Sequence, residues 1–352
     1  MINLGFNREM LTLARESRGY TQTALAKDLS LAPSLISKFE SGIVMPTPDN
    51  LRRIAEALDY PVEFFSQTDR VYGLGCSFLF HRKRKLMPIP EQRRLVAELN
   101  VVRMQIERLL RGTEMEAENA FMLLDCEQHR GPKGIARIMR SAWRIPSGPV
   151  SSVIGAIESA GGLVMQYPFQ NDRADGMSWW LPSLPPIFFV NSEMPGERQR
   201  FTLLHEVGHV VMHRFPSETI ESEADEFAAE FLMPAEDIAQ DLTDLTLERA
   251  AGLKAYWKVS MQAIIRRALD LKKIKESRYE RLCIEVGAAG YRKNEPMEIE
   301  AEQPTLLRSL VNLHLEQHGY GLADLSRMAV ANTKDFRERY APDYVLPLRM
   351  AN

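Results

Sequence analysis

The sequence predicts a multidomain, mainly α-helical protein with a small α+β core. It reads as an all-α N-terminal domain, a middle domain that sets a short β-sheet beside a histidine-bearing helix, and a helical C-terminal region. Three observations lead there. At 352 residues and 45% apolar content, the chain is long enough for two or three domains with real cores. Short capped helical patterns fill residues 1–70. Runs rich in β-branched and aromatic residues lie between 161 and 191, directly before a longer helical pattern.

Bulk chemistry narrows the function classes. A formal charge of -3 and a sequence pI near 6.2 supply no overall attraction to nucleic acid or membrane, so any such binding must be local. Cys76, Cys126 and Cys283 are odd in number, far apart and without a C-x-x-C pair, which argues against a disulfide framework and a thiolate zinc site. The opening MINLGFNREML is charged where a signal peptide would be apolar, and no run nears the roughly 18 apolar residues of a membrane span. The expectation is a soluble protein of the cytoplasm with no membrane partner.

In chain order, NREMLTLARESRGY places Met10, Leu11 and Ala14 on a helix, and TQTALAKDLS opens on a threonine cap and carries Leu25 and Leu29. PSLISKFESG is a short helix stopped by glycine, and TPDNLRRIAEAL begins with Thr47, Pro48 and Asp49, a strong helix start. Over TQTALAKDLSLAPSLISKFESGIVMPTPDNLRRIAEAL the chain resembles the phage-repressor (Xre-type) helix-turn-helix family. The resemblance implies that the helix from Pro33 to Ser41 enters the major groove of operator DNA, with Gln22, Ser34, Ser37 and Lys38 facing it. Pro33 departs from the family's pattern, because it offers a base edge no hydrogen bond where a polar residue often stands.

Residues 1–70 hold eight Lys or Arg against nine Asp or Glu, so the phosphate attraction that dominates DNA affinity is small. A homodimer, or the basic run HRKRK at 81–85, is the expected source of the rest. The plainer reading is an interaction module followed by a solvated linker. PIPEQRRLVAELNVVRMQIERLL at 88–110 then repeats Leu, Val and Ile at helical spacing and reads as an amphipathic connecting helix, packed on a neighbour or on a second subunit.

GGLVMQY, GMSWWLP and PPIFFVN read as three strands of a small sheet. The segment that follows, GERQRFTLLHEVGHVVMHRF, has Phe201, Leu204, Gly208, Val211, Met212 and Phe215 at helical spacing. A helix advances about 100° and 1.5 Å per residue, so His205 and His209 project from one side a turn apart, spaced to grip one metal ion. Glu206 beside them suits a general base for a water at that metal. His213 lies about 12 Å along the axis from His205, too far to share its metal, and is expected to support or pack against the site.

Two histidines leave zinc short of its usual three protein ligands, and ETIESEADEFAAEFLMP supplies carboxylates. Glu221 and Asp225 share a face at four residues' spacing, a ligand together with an acceptor for the outer N–H of a metal-bound histidine. Glu223 would then point away, with Glu226 and Glu230 on the solvent side; Glu221 is the preferred ligand and Glu223 the alternative. Gly208, Ala224, Ala228 and Ala229 would let the two helices approach closely. The plainer reading of 218–236 is an ordinary acidic surface helix.

WRIPSGPVSSVIGAIESAGGLVMQY, MPGERQRFTLLHEVGHVVMH and ESEADEFAAEFLMP, in that order and followed by LKAYWKVSMQAIIRRALDL, resemble the ImmA/IrrE family of zinc-dependent metallopeptidases over about residues 131–295. The resemblance implies a zincin-like, gluzincin-like metallopeptidase domain, with His205 and His209 as zinc ligands, Glu206 as catalytic base and a ligand glutamate in the ESEAD helix. The domains then read as 1–70 helix-turn-helix, 71–130 basic linker and connecting helix, 131–240 metallopeptidase, and 241–352 a helical C-terminal region that regulates or binds substrate. Residues 247–274 read as two helices around a short turn, while 300–352 carry mixed helical signals and no chemical motif. The expected function is a site-specific endopeptidase that cleaves a transcriptional repressor or antitoxin and is brought to its operon by its own DNA-binding domain. The alternative is a DNA-binding regulator whose zinc site is structural or sensory.

Overall fold

The computed structural model describes residues 5–73, 87–113, 116–169, 174–182, 184–215, 217–292 and 294–344. The run HRKRK lies outside the described residues. The chain divides into two compact units, and the division does not follow the four stretches read from sequence. One unit joins 5–73 with 87–113 and with 306–344, and the other holds the described residues from 116 to 305.

The first unit is all-α. Helices α1 (Arg8–Ser17), α2 (Gln22–Asp28) and α4 (Pro48–Leu58) each begin where the side chain of Asn7, Thr21 or Thr47 accepts a hydrogen bond from a backbone N–H two or three residues on. Helix α3 (Pro33–Ser41) starts on a proline and ends at Gly42. Met10, Leu11, Leu25, Ile36, Phe39 and Leu58 form the core between them. Helix α5 (Ile89–Leu110) is a wall of this same core, contributing Ala97, Val101 and Met104, and so is more than a connection. Residues 306–340 supply α14 (Leu306–Glu316), α15 (Leu322–Met328) and α16 (Thr333–Tyr340). They are tied in by Tyr340 Oη donating to Gln105 Oε1 at 2.8 Å, Arg18 to Asp335 at 2.9 Å, and Asn332 Nδ2 to Asp59 Oδ1 at 2.6 Å.

The second unit contains α6 (Gly131–Ala142), α7 (Val153–Ser159) and three strands, β1 (Leu163–Tyr167), β2 (Gly176–Trp179) and β3 (Ile187–Asn191). Strand β3 is central and wholly buried, parallel to β1 and antiparallel to β2. Next come α8 (Gly196–Met212), α9 (Ile220–Leu232) and the single turn α10 (Ala235–Ile238). Helices α11 (Leu247–Trp257), α12 (Met261–Asp270) and α13 (Glu276–Ala288) complete it. Helix α8 stops at Met212, so Phe215 leaves the expected apolar face and is 80% exposed. Glu302 folds back to cap α7, accepting from the backbone N–H of Val153 at 3.1 Å and of Ile154 at 2.8 Å, and it also pairs with Arg200.

Glu230 overturns one expectation. It is fully buried and not on a solvent face, because Arg137 from α6 donates to it at 2.8 Å and Arg267 from α12, 1% exposed, pairs with its other oxygen. Burial opposes its ionisation, but the two guanidiniums, Arg267 foremost, outweigh that and hold the carboxyl below its ordinary 4.5. Removing one partner strands the other as an uncompensated buried charge. Glu230→Ala should therefore lose about 3 to 5 kcal/mol in urea unfolding at neutral pH. A folded pKa below the unfolded one gives stability that is complete above pH 4.5 and lost as pH falls through the folded value, so the deficit should shrink in acid.

Candidate metal centre

Helix α8 is buried along every residue from Thr202 to Met212, so each polar side chain there must find partners inside the protein. Helix α9 packs against it closely. A Cβ on Gly208 would stand 3.2 Å from Ala224 Cα and 3.2 Å from Phe227 Cδ1, so a side chain there would press the two helices apart by a few tenths of an ångström. That approach places Glu221 of α9 against the histidines of α8. Glu221 Oε1 lies 3.2 Å from His209 Nε2, and Oε2 lies 3.6 Å from His205 Nε2.

Proton positions follow from the outer partners. An ionised carboxylate only accepts, so His205 Nδ1, 2.8 Å from Asp225 Oδ1, carries the ring proton and Nε2 of the neutral ring keeps a lone pair. His213 Nε2 sits 3.0 Å from Glu223 Oε2 and donates to it, which leaves His213 Nδ1 as an acceptor. Burial, aided by neighbouring His209, pushes His213 down to about 4, so it is neutral near pH 7. His209 Nδ1, 2.9 Å from His213 Nδ1, therefore donates, and His209 Nε2 also keeps a lone pair. The two bare Nε2 atoms face each other at 2.9 Å beside the Glu221 carboxylate. With that placement of protons, two nitrogen lone pairs and a carboxylate repel one another at this distance, and a cation between them would relieve the repulsion. Burial disfavours charge on His205, but the bond to Asp225 outweighs it and raises the ring's basicity above the ordinary value.

His205, His209 and Glu221 offer ligand atoms that all lie within 4.8 Å of one another, and together they could hold a metal ion. Two imidazole nitrogens and one carboxylate oxygen are a donor set of catalytic zinc sites, which keep a fourth position for water or substrate. The IrrE N-terminal-like peptidase family model matches residues 157–269, which run from the end of α7 almost to the end of α12. A helix-turn-helix model matches residues 11–65. The chain carries an ImmA/IrrE-type peptidase domain and an Xre-type helix-turn-helix domain. No curated protein matches it. Among the described residues no helix is long and apolar enough to cross a membrane.

Two site residues of the ImmA/IrrE-type domain were not legible in the motif. Ser178 on β2 donates to Glu206 Oε2 at 2.7 Å, and Glu206 is fully buried. The strand reaches the helix because residue 176 is glycine; a Cβ there would meet Thr202 Cγ2 at 2.6 Å. Glu223, expected to face solvent, is the partner of His213. A cleft of about 1080 Å³ opens over His205, Glu206 and Asp225, with Arg198, Arg266 and Asp270 on its walls, so it presents charges of both signs. In the helix-turn-helix domain, Ser34, Ser37 and Lys38 are exposed on α3. Gln22 is half-buried and donates to Glu40 at 2.6 Å, so its amide is engaged inside the domain.

This geometry predicts an order of metal affinities, measurable by equilibrium dialysis. Glu221→Ala should weaken binding most, and Glu223→Ala by about 10- to 100-fold through loss of the His213 chain. Glu226→Ala, on an exposed position of the same helix, should change nothing. Identical behaviour of the Glu223 and Glu226 variants would remove the His213 chain from the account.

Proposed function

We propose that the chain is a zinc-dependent, site-specific endopeptidase that cleaves a transcriptional repressor or antitoxin, with its helix-turn-helix domain delivering it to operator DNA. The carrying observation is the pair of inward-facing Nε2 nitrogens of His205 and His209, closed by Glu221 and set beside a buried, hydrogen-bonded Glu206. In this reading His205, His209 and Glu221 are the ligands. Asp225 fixes the tautomer of His205, and Glu223 acting through His213 fixes that of His209. Ser34, Ser37 and Lys38 form the DNA-facing surface, and Gln22 at the start of α2 braces it through its bond to Glu40.

Bound zinc would polarise the scissile carbonyl and acidify a water. Glu206 would take the proton of the attacking water as its oxygen adds to the carbonyl carbon, then deliver it to the amine nitrogen as the C–N bond breaks. Ser178 holds one oxygen of Glu206 in place, leaving the carboxylate a single productive orientation. The cleft walls, carrying Arg198, Arg266 and Asp270, suit a peptide with charges of both signs.

Purified protein incubated with candidate repressors from its own genetic neighbourhood should give one defined cut, abolished by a chelator and restored by zinc. Glu206→Gln should lose cleavage by roughly 100-fold or more, the scale of general acid–base catalysis, while keeping its zinc. Normal turnover by that variant would sink the mechanism. Ser178→Ala should lower kcat roughly tenfold with KM little changed, the low end of what a hydrogen bond to a charged group contributes.

A further inference from the structure

We infer that residues 320–340 form a second helix-turn-helix within the first unit, and that α16 is a second DNA-contacting helix. The elements of the two segments follow one another at the same spacing, with no gap between them. Helix α2 begins at Gln22 and α15 at Leu322, each seven residues long; α3 begins at Pro33 and α16 at Thr333. Each first helix is preceded by a tyrosine and an extended cap, Tyr20–Thr21 with φ -78 and ψ 158, Tyr320–Gly321 with φ -82 and ψ 163.

The turn between the helices repeats as well. Ser30 and Val330 both adopt φ 53. Ser30 N donates to Lys27 O at 3.0 Å and Val330 N to Arg327 O at 3.0 Å; Leu31 N donates to Ala26 O at 2.8 Å and Ala331 N to Ser326 O at 2.9 Å. A β-branched residue at positive φ costs free energy and persists only where its surroundings impose the conformation. The interior is matched too, with Leu25, Ala26, Leu29 and Ile36 answered by Leu325, Ser326, Ala329 and Phe336, all buried.

The outward faces differ in chemistry. On α3 the exposed positions hold Pro33, Ser34, Ser37 and Lys38, and on α16 they hold Thr333, Lys334, Arg337 and Glu338. The second copy thus presents two cations and the anion Glu338 where the first presents one cation, and its Arg337 has a fork that suits a phosphate or a guanine edge. Arg339 is not part of this face, because it donates to Gln105 at 2.9 Å. The segment matched as a helix-turn-helix ends at 65, so the second copy stands outside it. The exposed Lys334 and Arg337 and the repeated turn geometry point to double-stranded DNA as its occupant. The inference shares with the proposed function only the premise that α3 binds DNA.

The test uses the full chain and fluorescence anisotropy with a mixed-sequence duplex of about 40 base pairs, titrated with salt. Changing Lys334 and Arg337 together to Ala should cut affinity roughly tenfold or more at 0.1 M salt and flatten the log K against log salt slope by about 2. Lys334→Arg with Arg337→Lys keeps both charges and should restore the slope, which separates lost contacts from a lost fold. If Lys38→Ala weakens binding while the α16 double variant leaves affinity and slope unchanged, α16 does not touch DNA and binds a protein partner or nothing. Absence of binding by the unaltered chain at about 50 mM salt would overturn the role of both helices.

Discussion

A neutral imidazole has one ring proton to place, and the site depends on where the surrounding carboxylates force it. Asp225 takes the outer hydrogen bond of His205, and Glu223 takes that of His213, which in turn accepts from His209. Both inner nitrogens are thereby left as lone-pair donors pointing at each other and at Glu221. In the proposed reading the acidic character of α9 is a ligand and two proton anchors distributed over a turn and a half of helix.

That constraint holds only while α8 and α9 stay at their present separation. Gly208 against Ala224 sets the contact, and Gly176 lets β2 lie on the same helix from the other side, bringing Ser178 to Glu206. The far end of α9 is fastened by Glu230 between Arg137 and Arg267, which links it to α6 and α12. A buried ion pair of this kind adds little net stability over an apolar cluster but does not tolerate sliding, because each shift would strand a charge. The small sheet, the arginine pair and the two glycines thus serve one end, the register of α9 against α8.

The features legible in sequence were those internal to one helix. His205, Glu206 and His209 share a segment, as do Glu221 and Asp225, so helical arithmetic alone placed them, and the three strands declared themselves by composition. What failed needed distant segments. Glu223 and Glu230 looked solvent-facing because a helical wheel of α9 contains neither His213 nor Arg267. Ser178 stands 28 positions before its partner Glu206 in a strand whose other residues are apolar or glycine. Residues 306–340 had no visible partner in sequence, and only the fold joins them to the unit that begins the chain. Their likeness to α2 and α3 is carried by turn geometry and burial, with few identical residues, which is why composition did not reveal it.

The most direct measurement is the tautomer of each histidine in the purified, metal-loaded protein, read from long-range proton–nitrogen NMR correlations with nitrogen-15-labelled histidine. His205 and His209 should carry their proton on Nδ1 and His213 on Nε2, with the Nε2 shifts of the first two moved by metal. A proton on Nε2 of His209, or insensitivity of both inner nitrogens to metal, would contradict the account.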